Sequence, residues 1–419
     1  MKGVKKLIGP FRQVIPMTGL PLKGAIPDTE LAVISEAGIL IEDNKIHSIK
    51  KFSQLLEDFK QTDTEVILLE GDHVCLPGLV DAHTHICFGG SRANDYALRN
   101  SGKTYLEIAK AGGGIWDTVT QTRKATKDKL AKHTVKLAKR HFKNGTTTLE
   151  VKSGYGLSVD EELKMLYAIK EANEILPIDL IPTCLAAHML PKDYPGSVED
   201  YLTEIGTVIF PKLREEGLAH RIDAFIEESA FSAKQIAPYF KRAKDMGFDV
   251  TVHADQFSTG GSEVAIQFDA LSADHLEAST QKEIELLAKS KVIATALPGA
   301  SLGLGCNFAP ARKILDAGGA LAIASDHNPG SAPMGDLLTQ AAILGAFEKL
   351  SNAEVLAGIT FRASAALNLS DRGQLAKGYL ADLAVFHTNN YAEILYNQGN
   401  LKPCMVWKNG ELIFDRHKG

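Results

Sequence analysis

The stretch Pro77-Gly78-Leu79-Val80-Asp81-Ala82-His83-Thr84-His85 sets two histidines two residues apart, directly after a short apolar run. In an extended strand such side chains point to the same side, so His83 and His85 offer two imidazoles to one ion. Further along, His253 follows Val250-Thr251-Val252, His275 follows Leu271-Ser272-Ala273-Asp274, and Asp326 follows Ile323-Ala324-Ser325. His83, His85, His253 and Asp326 form a donor set of three neutral imidazoles and a carboxylate. That set suits zinc or iron(II) without separating them. An ion so held lowers the pKa of water towards about 7 and polarises a carbonyl. Asp326 is then ligand and proton acceptor together, while His275 steadies an oxyanion from outside the ligand set. Which of the two is the main proton carrier stays open at this point.

Other polar residues lie on loops that leave the same apolar runs. Arg92 follows Gly89-Gly90-Ser91, and Tyr105 lies further along that connection. Tyr155 sits within Lys152-Ser153-Gly154-Tyr155-Gly156-Leu157, and His188 follows Leu185-Ala186-Ala187. Singly, a loop arginine is a solvated charge and a loop tyrosine packs locally. Together they describe a pocket with a cation, hydroxyls and an imidazole, suited to a small anionic polar substrate. The clusters Gly112-Gly113-Gly114 and Gly260-Gly261 read as turns, not phosphate cradles.

These residues need a scaffold that gathers strand ends at one face. Eight short apolar runs start at Leu79, Thr146, Leu180, Ile222, Val250, Ala270, Val292 and Leu321. Helical patterns such as 161–172 and 232–246 separate them, and Asn144-Gly145 marks a helix stop. Strand–helix alternation predicts a parallel sheet, and eight units predict a closed α/β barrel of the TIM-like (β/α)8 type, with its site at the strand C-termini. A doubly wound open sheet is the alternative, but neither GxGxxG nor GxxxxGK[ST] occurs to support nucleotide binding. Both ends of the chain are β-prone, with Ile39-Leu40-Ile41 before a turn at 42–45 and Asn409-Gly410 as a hairpin signal. They predict a small β-sandwich-like domain from both termini, giving expected units at 1–75, 76–367 and 368–419.

The 419 residues fit one large barrel plus a small unit, and the net charge of −5 argues against nucleic acid or membrane phosphate as partners. Five widely spaced cysteines without a CxxC pair exclude a disulfide framework and a zinc ribbon. No apolar run approaches the roughly 20 residues that span a bilayer. A cytoplasmic, reducing setting is expected.

The HxH pair, His253, His275 and Asp326 in this order resemble the amidohydrolase superfamily. Lys152-Ser153-Gly154-Tyr155-Gly156-Leu157, Ala187-His188, His253-Ala254-Asp255-Gln256 and 325–331 (Ser-Asp-His-Asn-Pro-Gly-Ser) further resemble its imidazolonepropionase family, as does the distance of Arg92 from the HxH. The resemblance implies hydrolysis of 4-imidazolone-5-propanoate to N-formimidoyl-L-glutamate. It implies substrate contacts from Arg92, Tyr155, His188, Gln256 and Ser331, product contacts from Tyr155, Asn328 and Gly330, and a pocket place for Tyr105. Arg92, with His188, would hold the propionate. Many related deaminases carry a proton-shuttling Glu where Gln256 stands. An amide donates and accepts hydrogen bonds but does not titrate, which leaves Gln256 in the catalytic pocket without proton work. Dinuclear relatives bridge two metals with a carboxylated lysine; Lys152 lies outside a matching context, so one zinc or iron ion per subunit is expected. A homodimer is a family-based expectation. The competing readings are an aminohydrolase of a heterocyclic base and a non-catalytic binding protein on the same barrel.

Overall fold

The computed structural model describes residues 5–60, 62–103, 107, 112–228, 230–416 and 418. Eight strands form the centre: β1 (Leu79–Asp81), β2 (Thr146–Lys152), β3 (Asp179–Ala187), β4 (Arg221–Phe225), β5 (Asp249–Ala254), β6 (Ser272–His275), β7 (Ile293–Ala296) and β8 (Leu321–Ile323). They are hydrogen-bonded in chain order, and every neighbouring pair is parallel. The ring closes beyond the ends of β8 and β1. Thr84 bridges His327 in parallel, Asp326 N donates to His83 O at 3.0 Å, and His85 N donates to His327 O at 2.9 Å. Each of the eight apolar runs lies in or directly before one strand.

Local chemistry sets the helix limits. The helix Lys127–Lys143 stops where Gly145 takes φ +96°, a conformation costly for a residue with a Cβ. Ser232 caps the helix Ala233–Asp245 in a reciprocal box with Gln235. Lys127–Lys143 packs on β2 and Val159–Ile175 on β3, and the buried aliphatic side chains between helices and strands make one core. In one respect the structure differs from the expectation. The HxH pair does not stand in regular strand, because β1 ends at Asp81 and only Thr84, between the two histidines, makes a bridge.

The two ends of the chain share a second, mixed sheet. Lys5–Val14 pairs antiparallel with Ile34–Glu42 and parallel with Thr64–Leu68 and His73–Pro77. His73–Pro77 then pairs antiparallel with Leu383–His387, which continues to Met405–Lys408 and Glu411–Asp415. Asn409 and Gly410 both take positive φ (+54° and +77°), as the tight hairpin between the last two strands requires. Phe11, Ile39, Ile41, Leu383 and Trp407 are buried together on one face. All five cysteines are free thiols, and no described helix is long and apolar enough to cross a membrane.

Where the two sheets meet, charge is buried. Lys408 Nζ lies 2.7 Å from Asp382 Oδ2 and 2.7 Å from Asp179 Oδ2, and Arg372 also pairs with Asp179. Asp382 accepts from Asn409 N as well, at 2.9 Å. Removing one partner of a buried pair leaves the other desolvated and under-compensated. Asp382→Ala is therefore expected to destabilise the fold by about 3 kcal/mol. The measurement is a drop in melting temperature by calorimetry, with a smaller drop for a control at exposed Asp58.

Candidate metal centre and substrate pocket

The β1 extension delivers His83 and His85, and β5 delivers His253. His83 Nε2 lies 3.1 Å from His85 Nε2, and His85 Nε2 lies 3.3 Å from His253 Nε2. All three rings are buried and together form a group with the spacing of metal ligands. Asp326 Oδ1 stands 3.6 Å from His83 Nε2 and 3.5 Å from His85 Nε2. Burial lowers the pKa of His83, His85 and His253, aided at His83 by the Lys152 charge. The rings are therefore neutral and offer lone pairs. His83 Nδ1 faces Asp274 Oδ2 at 2.7 Å, and His253 Nδ1 faces Asp223 Oδ2 at 2.9 Å. Each of these Nδ1 atoms must carry the proton, so each Nε2 carries a lone pair aimed at its neighbours. Converging lone pairs repel unless a cation lies among them. The residues fit a zinc or iron ion.

Asp223 and Asp274 are in turn held by Lys152. Its Nζ lies 2.8 Å from Asp223 Oδ2, 2.8 Å from Glu150 Oε2 and 3.8 Å from Asp274 Oδ2, and all four side chains are buried. Burial alone would lower the Lys152 pKa, but Asp223, Glu150 and Asp274 outweigh it and hold the pKa raised. The ammonium thus keeps its proton. A carboxylated lysine requires a neutral amine, so a charged Lys152 does not suit a bridge to a second metal.

Asp326 follows β8 with φ +49°, an uncommon conformation that Asp tolerates better than most residues. Its Oδ2 accepts from Asn328 Nδ2 at 2.9 Å and Ser331 Oγ at 3.4 Å. Burial pushes its pKa up to about 6, against the lowering influence of His275. His275 ends β6 with φ +88°, and its ring lies 5.4 Å from that of His253. Burial lowers its pKa, but Glu277, 3.4 Å from Nδ1, together with Asp326 and Asp274 brings it above the ordinary value. His275 is thus the one imidazole of this group held towards its protonated form, with Asp326 among the carboxylates that hold it there.

The pocket wall follows. Asn328 Oδ1 accepts from Gly330 N at 2.7 Å and Ser331 N at 2.8 Å, which turns the loop tightly. A Cβ on Gly330 would lie 2.3 Å from Arg92 Nη1, so glycine there makes room for the guanidinium. Arg92 Nε is anchored on Asp95 Oδ2 at 2.8 Å. Tyr155 is buried with its ring 5.5 Å from that of His188, and His188 stacks on His85 at 5.7 Å and 21°. His188 Nδ1 donates to Gly154 O at 2.9 Å, and burial pushes the His188 pKa down to about 4. His188 is therefore neutral, with an accepting Nε2. Gln256 is half-buried on the loop leaving β5, between Asp255, with φ +52°, and Phe257, whose N–H donates to Glu227 at 2.9 Å. Tyr105 lies outside the described residues. Every other residue singled out in the sequence sits on a loop or strand end at the C-terminal face of the barrel.

Sequence reading missed Asp223, Asp274, Glu150 and Glu277. The signal was present. Glu150 and Lys152 alternate on β2, and Asp223 interrupts the apolar run of β4. Charges at alternate positions of a buried strand point into the barrel.

The amidohydrolase family model matches residues 74–413. The chain is 39% identical over 389 residues to an imidazolonepropionase of Acinetobacter baumannii (strain AB307-0294), covering 92% of this chain and 96% of that protein. It is 38% identical to an imidazolonepropionase of Bacillus cereus (strain AH187), covering 92% and 91%. Among solved structures, a triazine hydrolase variant superposes with a TM-score of 0.76 at 18% identity, covering 98% of this chain and 95% of that one. A zinc-bound adenosine deaminase from Xanthomonas campestris gives 0.72 at 18%, covering 99% and 94%. At such identities these structures speak for the fold alone.

The hydrogen bond from His83 Nδ1 fixes a ligand's tautomer, and losing such a partner typically weakens metal binding about 10- to 100-fold. Asp274→Asn is expected to fall in that range in a zinc-competition titration. An affinity equal to the parent's would detach Asp274 from the site.

Proposed function

This chain belongs to the amidohydrolase family, and within it to the imidazolonepropionases; from that premise we infer that it opens the ring of 4-imidazolone-5-propanoate to give N-formimidoyl-L-glutamate. The observation that carries this is the joint presence of the buried three-histidine, one-aspartate centre and a cationic, imidazole-lined wall, in a chain 39% identical to one imidazolonepropionase along nearly its whole length. The protein is thus a hydrolase acting on a C–N bond of a cyclic amide.

His83, His85, His253 and Asp326 would hold one zinc or iron ion. When bound, the ion supplies Lewis acidity, which acidifies water and polarises the lactam carbonyl. The chain's own residues do the rest. Asp326 accepts the proton of the attacking water at its carboxylate and delivers it to the ring nitrogen as the C–N bond breaks. Hydroxyl ends on the carbonyl carbon and hydrogen on the nitrogen, so water adds across the bond. His275, which favours its protonated form, donates a hydrogen bond where the carbonyl oxygen gains charge. Arg92, anchored through Nε on Asp95, keeps its terminal nitrogens for the propionate. His188 is neutral with an accepting Nε2, which suits a ring N–H better than a carboxylate. Tyr155 closes the same wall. Asn328 and Ser331 hold Asp326, and Gly330 leaves space for the guanidinium. Gln256 contributes hydrogen bonding alone, and its lack of a titrating proton counts against a deaminase reaction on the same barrel.

Turnover is read from ultraviolet loss of imidazolone propionate together with formation of formimidoyl-glutamate. The parent is expected to turn over, and Asp326→Asn to lose about 10²–10⁴-fold in kcat. Full activity in that variant would remove Asp326 from the chemistry. Arg92→Ala is expected to raise KM at least about tenfold, the usual weight of a hydrogen bond to a charged group. An unchanged KM would place the propionate elsewhere.

A further inference from the structure

Behind the pocket wall lies a carboxylate with no chemistry assigned to it. Glu162 is the fourth residue of the helix Val159–Ile175 and has no solvent exposure. Its Oε1 accepts from Gly156 N at 2.7 Å and Leu157 N at 2.8 Å, and its Oε2 accepts from Gly154 N at 3.0 Å. The neighbouring Ser153 Oγ accepts from Leu185 N at 3.1 Å, which ties this loop to the strand that leads to His188. One buried anion thus gathers the backbone on both sides of Tyr155.

A buried carboxylate is expensive, and a fold that needed only packing there would be served by an apolar side chain. What Glu162 enforces is a specific backbone shape. Gly154 takes φ +107° and Leu157 φ +52°. A Cβ on Gly156 would lie 2.5 Å from Glu162 N, so the loop lies directly on the helix start. The bend turns Gly154 O towards His188 Nδ1, 2.9 Å away. That contact fixes the proton on Nδ1 and leaves Nε2 accepting towards the pocket. The same bend sets the Tyr155 ring 6.0 Å from the His85 ring.

We propose that Glu162 is a positioning residue for substrate binding, acting through the 153–157 loop to set the Tyr155 ring and the tautomer of His188. This rests on the ring-opening function inferred above and adds the element that shapes its substrate pocket. Glutamine has the same shape but only one accepting oxygen. In Glu162→Gln, Gly156 and Leu157 keep an acceptor while Gly154 N–H faces an amide N–H₂.

The test uses the full-length, zinc-loaded protein and its Glu162→Gln and Glu162→Ala variants. For Glu162→Gln, zinc content is expected to match the parent and kcat to stay within about threefold. KM for imidazolone propionate is expected to rise about tenfold, the effect of one mispaired buried hydrogen bond. Side-chain ¹⁵N spectra of histidine-labelled protein, with His188 assigned from His188→Asn, are expected to show one Nδ1–H tautomer in the parent and a mixture in Glu162→Gln. Glu162→Ala is expected to go further in the same direction; if it does not fold, Glu162→Gln carries the test. An unchanged KM with an unchanged tautomer would overturn the proposal. So would parallel loss of kcat, zinc and thermal stability with the tautomer intact, which marks a merely structural residue. If the parent fails to open the ring, the functional inference falls, and the tautomer measurement still decides the role of Glu162.

Discussion

The Lys152 ammonium lies where no solvent reaches it, 2.8 Å from Glu150 and 2.8 Å from Asp223, with Asp274 at 3.8 Å. A lone buried charge is not tolerated, so its position is set by the carboxylates around it and theirs by it. Two of those carboxylates then reach outward to His253 Nδ1 and His83 Nδ1. The tautomers of two ligands, and so the direction of their lone pairs, follow from a cation on the neighbouring strand β2. Strands β2, β4, β5 and β6 and the β1 extension are tied into one electrostatic unit before any metal is considered. Arg221, 3.3 Å from Glu150, extends that unit to the start of β4.

This arrangement divides proton affinity across the site. The three clustered imidazoles are kept neutral by burial, so a metal bound at neutral pH would displace no proton from them. Asp326 and His275 are shifted the other way, towards holding a proton. Proton transfer would then fall to Asp326 and His275, with Asp326 serving as ligand and proton acceptor together. Both proton-holding residues sit at positive φ just past their strands, where the chain leaves the regular sheet. The barrel supplies the rigid ligand frame, and the bent strand ends supply the chemistry.

The fold was readable because each strand is a short apolar run bounded by helical patterns, and alternation on that scale admits few architectures. The candidate ligands were readable because His and Asp rarely follow so many such runs by chance. The carboxylates behind them were harder to see. Asp223 inside Ile222-Asp223-Ala224-Phe225 reads as an interruption until β4 is known to face a cation across the barrel. Glu162 reads as one more acid in the first turn of a helix, where acids are common. Its importance lies in the three backbone N–H groups that a bent loop presents to it, and backbone direction is not written in side-chain type. His188 likewise reads as a partner for the propionate until Gly154 O is seen to fix its tautomer.

A protonated Lys152 would organise a single metal site. Metal analysis of the zinc-reconstituted protein, combined with anomalous-scattering crystallography, tests this directly. The predicted result is one ion per chain, ligated by His83, His85, His253 and Asp326, with Lys152 unmodified between Asp223 and Glu150. Two ions per chain bridged by a carboxylated Lys152 would contradict it.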